Sequence, residues 1–143
     1  MEDLKRILLV EDDQRDVELT LAALEEINLD NKIDIVNDGE DALDFLFKRG
    51  NFENREGGNP VVVLLDLKMP KIGGIEVLKQ IKGDKKLRTI PVVVLTSSKM
   101  ESDLIETYNL GVNGYVVKPV EFENFVKTVK EAGSFWAILN ESI

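Results

Sequence analysis

Five short apolar runs alternate with segments of helical period along the chain, and this alternation limits the folds that it can adopt. The runs cover residues 7–10, 33–36, 61–65, 92–95 and 115–117. Each is mostly β-branched, as strands buried on both faces of a parallel sheet are. Parallel strands need right-handed crossovers, which are usually helices. The sequence therefore predicts an α/β fold, a doubly wound (βα)5 domain with a five-stranded parallel sheet between two helical layers.

The segments between these runs carry apolar residues at helical spacing. Val17, Leu21 and Leu24 recur at intervals of four and three residues, as on the buried face of a helix. Aspartates favour helix starts and glycines favour helix ends, so Asp13 is predicted to cap the first helix. Four more helices are predicted. The second begins at Asp38-Gly39, the third covers 75–81, the fourth covers 104–108 and ends at Gly111, and the fifth is a long C-terminal helix over 122–139.

One insertion interrupts the alternation. Residues 48–60, KRGNFENREGGNP, are polar and glycine-rich, which is typical of a surface loop. No shift of composition suggests a linker, and a chain of 143 residues is long enough to bury one core. Residues 1–143 are therefore predicted to form a single domain.

Composition removes several classes of function. The chain has no cysteine and no histidine, which excludes disulfides, cysteine and histidine zinc sites, and histidine-based triads. Its formal net charge of −9 opposes direct binding to nucleic acid or to an anionic membrane. No apolar run approaches the ~20 residues of a membrane helix. These observations predict a cytoplasmic protein.

Polar residues lie where the predicted strands end. Glu11 and Asp12 follow the first strand, Asp66 the third, Thr96 the fourth and Lys118 the fifth. In open parallel sheets the ligand crevice lies outside the carboxyl ends of the strands, so we expect these side chains to converge there.

Such a cluster has a definite chemistry. Two carboxylates ~4 Å apart repel each other by about 4 kcal/mol at an effective dielectric near 20, so converging acids shift their pKa values or recruit a cation. Oxygen ligands suit Mg²⁺, and Mg²⁺ with an ammonium suits phosphoryl transfer. Asp66 is then the nucleophile. Asp12 and Glu11 hold the metal, and Lys118 and Thr96 bind the transferred group.

The motifs ILLVEDD at 7–13, LLDLKMPKIGG at 64–74, VVVLTSS at 92–98 and GYVVKP at 114–119 together resemble the response-regulator receiver domain of two-component signalling. The resemblance implies a flavodoxin-like three-layer fold with strand order 2-1-3-4-5. It implies phosphoryl transfer from a histidine kinase to Asp66. The Mg²⁺ ion, or Mn²⁺ in its place, would be bound by Asp12, Asp66 and the backbone carbonyl of Lys68.

The same resemblance implies a switch. Lys118 would pair with the phosphoryl group, Thr96 would hydrogen-bond it, and Tyr115 would turn inward and change the face formed by the fourth helix, fifth strand and fifth helix. A cis peptide would join Lys118 to Pro119. Lys68 and Ser98 occupy positions that vary in the family and tune the lifetime of the phosphoryl group.

Within the family, the chain looks like the small regulators associated with bacterial phytochrome kinases. The loop before the third strand, the stretch at 81–98 and Phe135-Trp136 carry this likeness. It implies a sensor histidine kinase of phytochrome type as a partner. The readout would be a downstream protein, a phosphotransfer partner or a homodimer, without direct contact to nucleic acid or membrane.

Other interpretations compete with this one. Asp66 alone could cap a turn, and Lys118 alone could be a surface lysine. A phosphatase of the haloacid-dehalogenase type also uses a strand-end aspartate, but it places a second acid where this chain has Lys68. A receiver-like scaffold without phosphorylation would lack one of the acids or the lysine. The chain is therefore predicted to be a signalling domain and not an enzyme, with at most self-phosphorylation from small donors and self-dephosphorylation.

Overall fold

The computed structural model describes residues 6–26, 33–97, 101–118 and 123, and within them it contains nine helices and strands in strict alternation. In chain order they are β1 Ile7–Val10, α1 Gln14–Glu25, β2 Ile33–Val36, α2 Gly39–Phe47, β3 Val62–Leu65, α3 Gly74–Gly83, β4 Val92–Thr96, α4 Glu101–Asn109 and β5 Gly114–Val117. A single 3-10 turn, Gly50–Phe52, lies between α2 and β3.

The strands form one parallel sheet in the order β2-β1-β3-β4-β5, which confirms the predicted topology. The order reverses between β1 and β3, since β2 and β3 lie on opposite sides of β1. Val10, the last residue of β1, pairs with Val36 of β2 and with Leu65 of β3. The residues that follow these strands therefore leave the sheet side by side, at the point where open α/β sheets bind ligands.

Alternate residues of each central strand enter two separate cores. Leu8 and Val10 of β1 pack with apolar residues of α2 and α3, while Ile7 and Leu9 pack with apolar residues of α1. All four residues of β1 are fully buried. Burial on both faces explains the continuous apolar run in the sequence and confirms helices on both sides of the sheet.

Two aspartates begin helices as predicted. The Oδ1 atom of Asp13 accepts the backbone N–H of Arg15 at 2.8 Å, and it accepts that of Asp16 at 3.4 Å. The Oδ1 atom of Asp38 accepts the backbone N–H of Asp41 at 2.7 Å at the start of α2. These bonds satisfy N–H groups that have no partner within the helix.

The boundaries of three strands differ from the prediction by one residue each, whereas α4 begins three residues before its predicted range and α3 ends two residues after its own. β4 continues to Thr96 because Thr96 pairs with Val117 of β5, so Thr96 ends the strand and does not follow it. β3 begins at Val62 and β5 at Gly114, each one residue from its predicted start. Gly111 has a φ of +88° just beyond α4, as expected of a glycine that ends a helix.

The fourth helix is correctly predicted but exposes its apolar residues. Leu104, Ile105 and Tyr108 are 36%, 51% and 54% exposed, whereas Thr107 on the same helix is buried. Helical spacing indicates that residues share a face, but it does not say which partner covers that face.

The insertion at 48–60 is a largely exposed loop, as predicted, and it has its own anchors. The guanidinium of Arg55 lies 4.1 Å from the centre of the Phe45 ring, and its Nε donates to the Phe45 carbonyl at 2.9 Å. Phe52 packs edge-on against the same ring at 5.4 Å. Arg49 adds a cation–π contact to Phe47 and an ion pair with Asp44, so aromatic and charged contacts together attach the loop to α2.

Several predictions lie outside the described residues. They are the C-terminal helix at 122–139, the pair Phe135-Trp136, Ser98 and the cis peptide between Lys118 and Pro119. Among the described helices, no stretch combines the length and the apolarity needed to cross a bilayer.

Candidate functional site

Asp66 is the residue that directly follows β3. Its backbone N–H donates to the Val10 carbonyl at 3.0 Å, so the ladder between β1 and β3 fixes its position. Its side chain is almost fully buried, with the residue 4% exposed, and Oδ1 accepts the backbone N–H of Lys68 at 3.3 Å. The carboxylate is thus held at the carboxyl edge of the sheet by a backbone hydrogen bond to β1 and by a side-chain hydrogen bond from the loop that follows.

Two further acids follow β1 and meet Asp66. The backbone N–H of Glu11 donates to the Val36 carbonyl at 3.0 Å, and the residue is buried, whereas Asp12 is exposed. One carboxylate oxygen from each of Glu11, Asp12 and Asp66 lies within 4.8 Å of the other two. The predicted convergence of these three acids is therefore present in the structure.

Lys118 joins the cluster from the end of β5. Its backbone N–H donates to the Thr96 carbonyl at 2.8 Å, which continues the β4–β5 ladder and brings the side chain to the same edge. The Nζ atom lies 2.5 Å from Glu11 Oε1, 2.8 Å from Asp16 Oδ2 and 3.8 Å from Asp66 Oδ1. The ammonium is therefore surrounded by three carboxylates.

The charges in this cluster act on each other. The pKa of Asp66 is raised from its ordinary value of 3.8 to about 7. Burial is the largest cause and repulsion from Glu11 adds to it, while the ammonium of Lys118 opposes both effects. Burial lowers the pKa of Lys118, but hydrogen bonds to Asp16 and Glu11 and the charge of Asp66 outweigh burial and raise it. Lys118 therefore stays protonated, while Asp66 can be either neutral or charged near neutral pH.

The other predicted site residues lie at different distances from this cluster. Thr96 is fully buried at the end of β4, next to the position from which Lys118 leaves β5. The main chain of Lys68 bonds Asp66, but its side chain points to α4, where Nζ lies 3.4 Å from Asp103 Oδ2. Tyr115 is half-buried in mid-β5 and packs against the core on the α2 and α3 side.

The structure adds two acids that the sequence interpretation did not include. Asp16 lies in the first turn of α1, three residues after its cap, and bonds Lys118. Asp103 lies in α4 and pairs with Lys68. A sequence signal existed for Asp16, because a helix that begins at the carboxyl edge of a sheet directs its first turn toward the ligand crevice. Asp103 had no such signal.

The donor set suits a hard divalent cation. All three converging side chains are carboxylates, which favour Mg²⁺ or Mn²⁺ over softer metals, and Asp12 is open to solvent and to retained water ligands. Burial and, after it, the neighbouring charge of Glu11 raise the pKa of Asp66, and a bound cation would favour the ionised carboxylate against both effects. The residues present thus fit such an ion.

Comparison with known proteins assigns the class. The family model described as "Response regulator receiver domain" matches residues 7–130. The chain therefore belongs to the response regulator receiver domain family, a class of signalling domains, and its strand order and clustered acids agree with that membership.

Two relatives are similar to the chain over most of its length. The chain is 43% identical over 139 residues to "Probable methanogenesis regulatory protein FilR2" of Methanothrix harundinacea, covering 95% of this chain and 86% of that protein. It is 42% identical over 132 residues to response regulator Rcp1 of Synechocystis sp., covering 92% and 88%.

Two solved structures of response regulators are similar to this chain in both fold and sequence. The bacteriophytochrome response regulator AtBRR is 56% identical, with a TM-score of 0.84 over 97% of this chain and 99% of that one. The Mn²⁺-bound form of Rcp1 has a TM-score of 0.78 at 42% identity, over 92% and 94% of the two chains. The relatives thus include single-domain regulators of phytochrome signalling.

Proposed function

We propose that this chain is a phosphorylatable single-domain switch in which Asp66 accepts a phosphoryl group from a histidine kinase. The observation that carries the proposal is the convergence of three carboxylates within 4.8 Å of one another, with the ammonium of Lys118 3.8 Å from Asp66. A buried acid, a candidate cation site and a fixed ammonium are the components that phosphoryl transfer to a carboxylate needs.

In the proposed transfer, a carboxylate oxygen of Asp66 attacks the phosphorus of a phosphohistidine in line with its P–N bond. The O–P bond forms as the P–N bond breaks, and the electron pair of that bond remains on the imidazole nitrogen of the donor. Asp66 must be ionised for this attack, and the positive charge of Lys118 favours the ionised form. Lys118 and the hydroxyl of Thr96 then bind oxygens of the transferred group.

Asp12, Glu11, Asp66 and the backbone carbonyl of Lys68 are the groups that we propose as holders of Mg²⁺ or Mn²⁺. When bound, such an ion would supply the positive charge that neutralises phosphoryl oxygens. The relative Rcp1 has been solved in a Mn²⁺-bound form, which supports a divalent ion here. The close contact between Lys118 and Glu11 supports a role for Glu11 in balancing the ammonium as well.

The proposed readout is the surface formed by α4 and β5, together with the helix expected after β5. Leu104, Ile105 and Tyr108 leave apolar area exposed there, and Tyr115 lies on the strand next to it. We propose that phosphorylation draws Thr96 toward the new oxygens and turns Tyr115 inward, and that a downstream protein, a phosphotransfer partner or a second copy of the chain binds the altered surface. Tyr115→Ala should change partner binding or phosphate-dependent gel filtration without changing phosphorylation, and the reverse pattern would contradict the switch.

A sensor histidine kinase of phytochrome type is the proposed phosphoryl donor. The 56% identity to the bacteriophytochrome response regulator AtBRR supports this choice. Because such kinases use ATP, we place the protein in the cytoplasm. The relative FilR2 is described as a regulator of methanogenesis and not of phytochrome signalling. The identity of the kinase and phosphorylation itself therefore need separate tests.

Phosphorylation can be tested without a kinase. Incubation with acetyl phosphate and Mg²⁺ should add the mass of one phosphoryl group to the intact protein. Asp66→Asn should abolish this addition, while Asp44→Asn, which alters a carboxylate paired with Arg49 at 2.9 Å on α2, should not. Equal phosphorylation of Asp66→Asn and the unchanged protein would refute the proposed acceptor. Sustained turnover of a phosphate ester would favour a phosphatase instead.

A further inference from the structure

The ammonium of Lys118 is nearly enclosed, and its environment contains one group to which the proposed chemistry gives no role. The side chain of Lys118 is 10% exposed. Its Nζ atom donates to Glu11 Oε1 at 2.5 Å and to Asp16 Oδ2 at 2.8 Å. Asp16 lies on α1, 102 residues away in sequence and on a different element from every other member of the site.

The N–H groups of the Lys118 ammonium are divided between two fixed partners and the direction of Asp66. A lysine ammonium has three N–H groups, and two of them point to Glu11 and Asp16. The third is left for the direction of Asp66, whose Oδ1 is 3.8 Å away, beyond hydrogen-bond distance. A phosphoryl group on Asp66 would place oxygens in that gap.

Glu11 and Asp16 differ in the contacts that they make besides those with Lys118. An oxygen of Glu11 belongs to the cluster with Asp12 and Asp66 that fits a divalent ion, and its Oε2 accepts the backbone N–H of Asp13 at 3.2 Å. Asp16 is not a member of that cluster. A metal ion bound by Glu11 would compete with the contact between Glu11 and the Lys118 ammonium. It would not compete with the contact between Asp16 and that ammonium.

We propose that Asp16 is a positioning residue that fixes the ammonium of Lys118 for the phosphoryl group on Asp66. This inference rests on the proposed phosphorylation and adds a residue to it. A lysine side chain is long and flexible, and holding it in one geometry costs conformational entropy. Asp16, itself fixed in the first turn of α1, makes that geometry the resting one.

The sign of the effect separates positioning from simple electrostatics. Asp16 carries a negative charge, so removing it should strengthen the binding of an anion if charge alone matters. If Asp16 acts by positioning Lys118, its removal should weaken anion binding. The probe is beryllofluoride with saturating Mg²⁺, an anion that mimics the phosphoryl group on a carboxylate, with affinity measured by fluorine NMR or calorimetry.

We expect Asp16→Ala to weaken beryllofluoride binding about tenfold, equivalent to ~1.4 kcal/mol. Asp16→Asn, which keeps an oxygen acceptor, should recover part of the loss. Glu18→Ala, which removes an exposed carboxylate from the same helix, should leave the affinity unchanged. In a Lys118→Ala background, Asp16→Ala should have no further weakening effect, because the two residues act as one unit.

The outcomes distinguish this inference from the proposed function. If the unchanged protein does not bind beryllofluoride, or if Asp66→Asn binds it equally well, the proposed function fails. If binding depends on Asp66 but Asp16→Ala binds as tightly as the unchanged protein or more tightly, the positioning role is wrong. Should Asp16→Ala not fold, Asp16→Asn decides, since unchanged or tighter binding by that variant also overturns the inference.

Discussion

The Nζ atom of Lys68 lies 3.4 Å from the Oδ2 atom of Asp103, which joins the loop after β3 to α4. Lys68 also donates its backbone N–H to Asp66. One residue therefore contacts both the proposed phosphoacceptor and the helix of the proposed readout surface. Because the Lys68 side chain is 57% exposed, we expect this ion pair to act on coupling more than on stability.

Asp103→Ala tests that coupling. We expect the free energy of unfolding to fall by less than about 1 kcal/mol, because the Lys68 side chain is 57% exposed and solvent screens the pair. The NMR signals of residues 66–69 should nevertheless shift, because the Lys68 side chain loses a fixed partner. Glu106→Ala changes another acid of α4 and breaks its ion pair with Lys79 of α3, and it should leave those signals in place. Equal shifts in both variants would contradict a specific link through Lys68.

Asp66→Asn should stabilise the metal-free protein in a pH-dependent way. The folded-state pKa of Asp66 is about 7, above its ordinary value of 3.8, so its contribution to stability is complete below about pH 3.8 and is lost as the pH rises through about 7. An asparagine has no charge to bury. We expect the variant to gain ~1–3 kcal/mol at about pH 8 and much less at about pH 5, by urea unfolding in the presence of a chelator.

The opposite trend would show that the raised pKa of Asp66 is not what destabilises the metal-free site. Asp44→Asn serves as the control here too, because its carboxylate pairs with Arg49 and not with the cluster. It should show no gain that grows with pH.

Mg²⁺ should stabilise the protein through Asp12. A cation that binds the folded state alone at ten times its dissociation constant adds ~1.4 kcal/mol to the free energy of unfolding. Asp12→Asn should remove most of this gain, because a neutral amide replaces a charged ligand. Thermal unfolding with and without Mg²⁺ measures the difference.

Asp13→Asn is the matched control for that experiment. It removes one charge from the neighbouring residue but keeps a good helix cap, since asparagine caps helices as well as aspartate does. An equal loss of Mg²⁺ stabilisation in both variants would point to general electrostatics and against a metal ligand at Asp12.

Gly74→Ala should disturb the backbone behind Asp66. A Cβ atom at residue 74 would overlap the Asp66 carbonyl oxygen and lie 2.6 Å from the Leu67 Cα, so the strand end or the start of α3 must shift. We expect a loss of ~1–3 kcal/mol in stability and slower phosphorylation by acetyl phosphate. At Gly73 the nearest atom would be 3.5 Å away, so Gly73→Ala should be tolerated. Similar behaviour of the two variants would argue against the close approach at Gly74.

Much of the fold could be read from local sequence patterns. The bounds of β1 and β2 were predicted to the residue. β1 is a continuous apolar run because it is buried on both faces, and β2, at the edge of the sheet, keeps three β-branched residues around Asp34. Asp13 was predicted as a cap and Asp38-Gly39 as a helix start, because capping depends on residues two or three positions away. The convergence of Glu11, Asp12, Asp66 and Lys118 followed from a second rule, that parallel strands bring their carboxyl ends to one edge.

The covering of α4 could not be predicted in this way. The spacing of Leu104, Ile105 and Tyr108 gave the helix, and the structure then placed these side chains in solvent. Whether a helical face is covered depends on elements distant in sequence, which periodicity does not report.

The amino-acid sequence by itself determined which residues form strands and helices, and which acids and which lysine end the strands, because these depend on short-range periodicity and on strand direction. Only the tertiary structure decided the partners of those end residues. Asp16 meets Lys118 across 102 positions and Asp103 meets Lys68 between a loop and α4, contacts set by how helices dock on the sheet. Docking is the sum of many packing contacts, and no local pattern encodes it.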